Sequence, residues 1–275
     1  MKRLLVIASA IAAMLCTGSI AGAQEKTRYR ATTFVSIAPE KQAAALEFVR
    51  TVGVKLAQEN INAGRMASWS LLRTVYAGVG TEYNFIQVTN YDGPPPADLS
   101  PDARDQMYRK ATGMSYQDYQ KKLTSFVTTG NSVLARIEAT ADGAAPAVGS
   151  FVRVVRWKIT PGHAADYTDY IKTKAQAMNT QGVKEGVFQS WSATRVLFPS
   201  GDDVSYDATT SNIYKDMAQL LPPAPANPNQ GAPAAFAKIF PDKSYTAFVD
   251  EGRQVRRMVR QELWRVAVLA APAAR

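Results

Sequence analysis

The chain carries one cysteine and one histidine in 275 residues. That scarcity excludes a His/Cys zinc site and a disulfide framework. It has no G-x-S-x-G elbow, no Gly-rich phosphate loop and no H-E-x-x-H pair. The hydrolase, nucleotide and metalloprotease chemistries those motifs carry are therefore not expected. Gly and Pro number only 17 and 15, which rules out collagen-like and low-complexity classes. Acidic residues are outnumbered, 23 against 32 Lys and Arg, for a net charge of +9. Beyond the N-terminus no uncharged apolar run reaches the length of a bilayer span.

What is present begins with an address. Lys2 and Arg3 precede an apolar run from Leu4 to Leu15, too short to span a bilayer as a helix, and Ala21-Gly22-Ala23 is a small-residue cleavage site. Residues 1–23 are expected to be a signal peptide cut after Ala23. Cys16 follows Leu15, where lipidation would need a small residue, so it is expected to leave with the peptide. The mature chain would then have no cysteine and a net charge of +7. A periplasmic or secreted location follows, with no stable membrane insertion after cleavage and nucleic acid an unlikely partner.

The strongest signal is internal duplication. Pro39 matches Pro161, Gly64 matches Gly186, Arg73 matches Arg195, and Ser68-Trp69-Ser70 matches Ser190-Trp191-Ser192, all 122 residues apart. Tyr83 and Tyr91 match Tyr206 and Tyr214 at 123, and Leu134 and Arg136 match Leu263 and Arg265 at 129. The steps fall in loop-like stretches. Two units are expected, 27–140 and 149–270, joined by the small-residue linker 141–149.

Each unit reads strand, helix, strand, strand, helix, strand. The strands are expected near 32–38, 67–76, 83–91 and 132–139, and near 151–159, 187–198, 205–214 and 262–269. The first helices follow Pro39 and Pro161, and the second span about 115–129 and 244–260. Pro-rich loops, 93–96 and from 221 onward, occupy equivalent places and read either as lids or as tolerated insertions. This βαββαβ order is the ferredoxin-like unit, an antiparallel sheet with both helices on one face. The bare face needs cover, and packing the two units sheet to sheet supplies it. The expected class is α+β, two tandem ferredoxin-like repeats forming a pseudo-dimeric barrel.

In this order and duplication the chain resembles the dimeric α+β barrel superfamily, which includes antibiotic-biosynthesis-monooxygenase-like and NIPSNAP-like domains. The resemblance spans nearly the whole mature chain but carries no catalytic motif. It implies a space between the sheets that takes a small hydrophobic or aromatic molecule, sometimes haem.

The candidate site rests on the repeated Trp/Arg strand. Alternation puts Trp69 and Arg73 on one face, and Trp191 and Arg195 likewise. An assumed hairpin register places Trp69 opposite Tyr91, Arg73 near Gln87, Trp191 opposite Tyr214 and Arg195 near Thr210. An Arg with an aromatic wall suits an anionic aromatic ligand. The competing reading has Trp and Tyr fill the inter-sheet core and Arg pair with a carboxylate or carbonyl, and a register slip of one would turn them to the other face.

The polar strand 206–214 reads either as lining a hydrated cavity through Thr210 and Asn212 or as lying near a sheet edge. His163 sits in the first turn of a helix where the other unit has Lys41, and reads as a solvated surface residue. Arg253, Arg256, Arg257 and Arg260 read as a solvated helical stripe. Asp202 and Asp203 belong to a turn.

Three functions stay open. The first is an exported barrel binding a small organic molecule, aromatic or anionic, between its sheets. The second is a cofactor-independent or haem-assisted oxygenase or isomerase, for which Tyr83, Tyr206 or His163 would have to face a cavity. The third is an interaction protein of the cell envelope. No metal and no cofactor are called for by the residues themselves. Enzymatic activity, the ligand's identity and the oligomeric state are not readable.

Overall fold

Eight strands close on themselves, because each half of the chain leaves two sheet edges that only the other half can satisfy. The computed structural model describes residues 26–78, 80–201, 204–221 and 232–272. The expected signal segment 1–23, Asp202, Asp203 and most of the second Pro-rich loop lie outside the described residues.

The first half contains β1 (Tyr29–Ile37), α1 (Gln42–Phe48) and α2 (Val54–Asn62), with a π-helical turn, Val49–Gly53, between the two helices. It continues with β2 (Ser68–Tyr76), β3 (Phe85–Tyr91), α3 (Pro101–Thr112), α4 (Tyr116–Thr124) and β4 (Val127–Ala141). The second half repeats the order with β5 (Phe151–Ile159), α5 (Ala164–Asp169), the π turn Tyr170–Ala175 and α6 (Gln176–Lys184). Then come β6 (Ser190–Phe198), β7 (Ala208–Tyr214), α7 (Met217–Leu220), α8 (Ala232–Ile239), α9 (Tyr245–Val255) and β8 (Arg256–Ala270).

The ring runs β1-β3-β2-β8-β5-β7-β6-β4 and back to β1, and every neighbouring pair is antiparallel. Each half is a ferredoxin-like sheet. The long last strands sew the halves together, β8 to β2 and β4 to β6. Closure removes the exposed edges that such sheets would otherwise present.

Three apolar clusters hold the fold. One packs α1 and α2 on the first sheet through Phe48, Leu56, Ile61, Trp69, Leu71 and Tyr119. A second does the same in the other half through Tyr167, Tyr170, Ile171, Phe188, Trp191 and Tyr214. The third fills part of the barrel interior with Phe34, Leu72, Ile86, Val152, Val154 and Trp264, drawn from both halves. Serine N-caps start α3, α4 and α9, each accepting a backbone N–H. The Pro-rich stretch of the first half is followed by a whole helix, α3, which the loop reading did not foresee.

Two expectations are corrected. The helices expected to reach 129 and 260 end at Thr124 and Val255, and β4 and β8 begin at Val127 and Arg256. Pairing with β5, Arg256 opposite Ile159, outweighs the helical spacing of the arginines. There is no stripe. Arg256 stacks 4.0 Å from the Trp157 ring centroid, Arg257 is exposed, and Arg260 turns towards Glu262. The hairpin registers also differ. Trp69 lies opposite Thr89, Arg73 opposite Phe85, Trp191 opposite Asn212 and Arg195 opposite Ala208. The β2–β3 connection is a multi-residue loop that includes Tyr83, so the pairing slides from the tight-hairpin estimate.

Candidate functional site

Alternation along the strands decides which side chains see the interior. On β2 the inward residues are Ser68, Ser70 and Leu72, while Trp69 and Leu71 belong to the helix-facing cluster. The same holds on β6, where Ser192, Thr194 and Val196 point inward and Trp191 and Ala193 pack outward. None of the eight residues expected to form the site lines the interior.

Trp69 and Trp191 are 7% and 4% exposed and anchor the two helix layers. Gln87 and Tyr91 share the outer face of β3 with Thr89, Trp69's partner. Thr210 accepts the Trp157 indole N–H at 2.9 Å, and Tyr214 stacks edge-on against Phe188. Arg195 reaches the Ala164 carbonyl at 3.4 Å, and Arg73 is exposed. The repeated tryptophans belong to the helix layers, Trp69 in one and Trp191 in the other.

The interior holds a cavity of about 360 Å³, within the range of small-molecule pockets. It lies towards the barrel end where the linker and the C-terminal segment run, bordered there by Ala145, Pro146 and Ala271. Its walls are mainly apolar: Val88, Val133, Val152, Val154, Val266 and Trp264. The polar strand β7 contributes Thr209 and Ser211 rather than Thr210 and Asn212, so it lines a cavity with the face opposite to the one expected. In a closed barrel there is no edge for it to occupy.

One cation reaches the linker end of this cavity. Arg30 on β1 donates its Nε–H to Asn90 Oδ1 at 2.9 Å and an Nη1–H to Ser192 Oγ at 3.0 Å. Asn90 in turn donates to Ser68 Oγ at 2.8 Å. Among the described residues no carboxylate lies within 4.0 Å of Arg30. Burial, with a smaller contribution from Arg28, pushes the guanidinium down to about 10. It remains charged at neutral pH, half-buried at the cavity's edge and held by neutral partners.

The opposite end is closed by a polar knot. Glu262 has a side chain 0% exposed. It accepts from the Tyr83 hydroxyl, from Arg156 Nη2 at 3.1 Å and from the Trp264 indole at 3.2 Å, and pairs with Arg260 Nε at 3.0 Å. Arg156 also donates to the Tyr83 oxygen at 2.5 Å and lies 4.7 Å and 4.8 Å from the ring centroids of Phe34 and Tyr206. Burial pushes the Tyr83 phenol up; Arg156 opposes this and the bond to Glu262 adds to it. Burial likewise raises Tyr206. The carboxylate is saturated by partners, so it closes the barrel and has no free lone pair for a ligand.

Haem does not fit this interior. Among the described residues no His, Cys or Met lines the cavity. Tyr206 is its one lining phenol, and burial disfavours the phenolate that would have to bind iron. His163 sits outside at the start of α5, half exposed, 2.8 Å from Asp166. Among the described residues no group of three or more His, Cys, Asp or Glu could hold a metal ion.

The residues missed from sequence are Arg30, Asn90, Ser192, Arg156 and Glu262. A usable signal was there, where the duplication breaks. Arg30 corresponds to Val152, Arg156 to Phe34 and Glu262 to Val133.

No protein-family model and no curated protein matches this sequence. Solved structures do share its architecture. A candidate monooxygenase from Lactobacillus acidophilus NCFM aligns at a TM-score of 0.55 with 9% identity, over 89% of this chain and 96% of that one. A second candidate monooxygenase, from Fusobacterium nucleatum subsp. nucleatum, aligns at 0.53 with 9% identity, over 90% and 96%. The fold is the dimeric α+β barrel. Here one chain supplies both halves.

Proposed function

We propose that this protein binds a small, mainly apolar organic anion inside its barrel. The observation that carries the reading is Arg30, a cation without a carboxylate partner among the described residues, at the linker end of a mainly apolar cavity. A carboxylate or phenolate would complete its fork, and the valine walls with Trp264 would take the apolar body. Preorganisation is provided by Asn90 and Ser192, which hold the guanidinium in place before a ligand arrives.

The N-terminal segment supports a role outside the cytoplasm, and N-terminal sequencing of the exported protein should begin at Gln24. Among the described residues no helix is long and apolar enough to cross a membrane.

A second reading is oxygenation of the bound anion, the activity class named for the two similar structures. It is favoured by Arg30, because a cofactor-independent oxygenase must stabilise an anionic substrate. Against it, the buried carboxylate that could serve as a base is already saturated by Tyr83, Arg156, Arg260 and Trp264. Oxygen uptake with a bound ligand separates the two.

Native mass spectrometry of freshly purified protein tests the binding reading. A bound organic anion in the wild type, lost from Arg30→Met, supports it. Identical bare spectra for both, with and without added aromatic carboxylates, would sink it.

A further inference from the structure

A cluster of three arginines lies on the outer wall, and its pseudo-symmetric counterpart is paired with a carboxylate. Arg73 on β2 lies directly opposite Arg265 on β8. With Arg50, from the π turn between α1 and α2, they line a groove of about 520 Å³ bordered by Ala267 and the linker residues Val148 and Gly149. All three arginines are exposed. None has a carboxylate within 4.0 Å among the described residues. Like charges facing each other across strands cost stability, so their retention without an acid asks for an occupant.

The β4–β6 junction has the same arrangement with the charge neutralised. Arg136 faces Arg195 across β4 and β6, and Lys172 takes the place of Arg50. There Glu138 accepts from Arg136 at 2.6 and 2.9 Å and lies 3.8 Å from Lys172, its side chain only 3% exposed. Glu138 is the extra residue of a β-bulge, between Ile137 opposite Thr194 and Ala139 opposite Ala193. The equivalent bulge on β8, where it pairs with β2, falls between Val266 opposite Leu72 and Val268 opposite Leu71, and its extra residue is Ala267. A bulge aims one side chain out of the ladder. The β4–β6 junction aims a carboxylate into its cationic cluster; the β2–β8 junction aims a methyl group and leaves the cluster open.

We propose that the Arg50–Arg73–Arg265 groove binds a small multivalent carboxylate, one of whose carboxylates sits where Glu138 sits at the β4–β6 junction. Two or more carboxylates are needed to balance three guanidiniums, and the planar fork of arginine suits them.

Isothermal titration of the mature protein with citrate at low ionic strength tests this, with inorganic phosphate as comparator. One equivalent of citrate is expected to bind, weakening as salt rises. Arg73→Gln and Arg265→Gln should each cut affinity at least fivefold. Ala267→Glu, which supplies the missing internal carboxylate, should abolish binding. Glu138→Ala should open the second cluster and raise the stoichiometry to two. Arg30→Met should leave citrate binding unchanged, which separates this site from the barrel cavity. Absence of citrate binding in the wild type, undiminished binding in Ala267→Glu, or phosphate binding as tightly as citrate would each overturn the assignment. Should Ala267→Glu fail to fold, the arginine variants and the Glu138→Ala stoichiometry decide alone.

Discussion

Arg30 and Glu262 lie at opposite ends of the barrel interior, and they are built differently. Glu262 is enclosed by two arginines, a phenol and an indole, so removing it strands Arg156 and Arg260. Glu262→Ala should therefore cost about 3–5 kcal/mol, as breaking one side of a buried pair does. Chemical denaturation of the purified variant measures it, and a loss below about 1 kcal/mol would contradict the network. Arg30 is held by neutral partners, and burial disfavours its charged form. Arg30→Met should leave stability unchanged or raise it by about 1 kcal/mol, because a desolvated cation is removed along with two modest hydrogen bonds. The same variant should lose ligand binding. Stability given up to keep a binding group is a common trade.

At the scale of elements, the strand carrying Trp69 or Trp191 joins a sheet to its helices, and its alternate residues join the sheet to the cavity. Trp69→Ala and Trp191→Ala should each cost about 3–5 kcal/mol through the cavity they leave under the helices. Trp69→Phe and Trp191→Phe, milder changes at the same places, should leave the affinity for a barrel ligand within twofold. A larger loss of affinity would return these residues to the binding site. The element order and the pairing of halves were legible because duplication and strand alternation are patterns in the sequence. Which alternate face turned inward was not. Ser68-Trp69-Ser70 offers an aromatic and a polar face, and either could have lined the interior until the helices were seen to need the Trp. The end of α9 was misplaced for a related reason. Arg253, Arg256, Arg257 and Arg260 fit a helix by spacing, but β5 needed a partner along its whole length and took residues from Arg256 onward. The charges that mark the cavity were visible only as departures from the repeat, in Arg30, Arg156 and Glu262.

For the whole molecule, the closed ring makes the halves interdependent. β2 and β4 pair with β8 and β6 of the other half, and Phe34, Ile86, Val152 and Trp264 share one interior cluster. Unfolding should therefore be a single transition with equal calorimetric and van't Hoff enthalpies. Two resolved transitions would show halves that stand alone.

The central claim is that the barrel interior recognises an anion through Arg30. Isothermal titration with 2-naphthoate, its neutral alcohol counterpart and the Arg30→Met variant tests it most directly. The wild type should bind one 2-naphthoate, with a Kd on the order of 10–100 µM for a ligand of this size. The alcohol should bind at least tenfold more weakly, and Arg30→Met should bind the two alike. Equal affinity of the wild type for carboxylate and alcohol, or undiminished carboxylate binding by Arg30→Met, would contradict the claim.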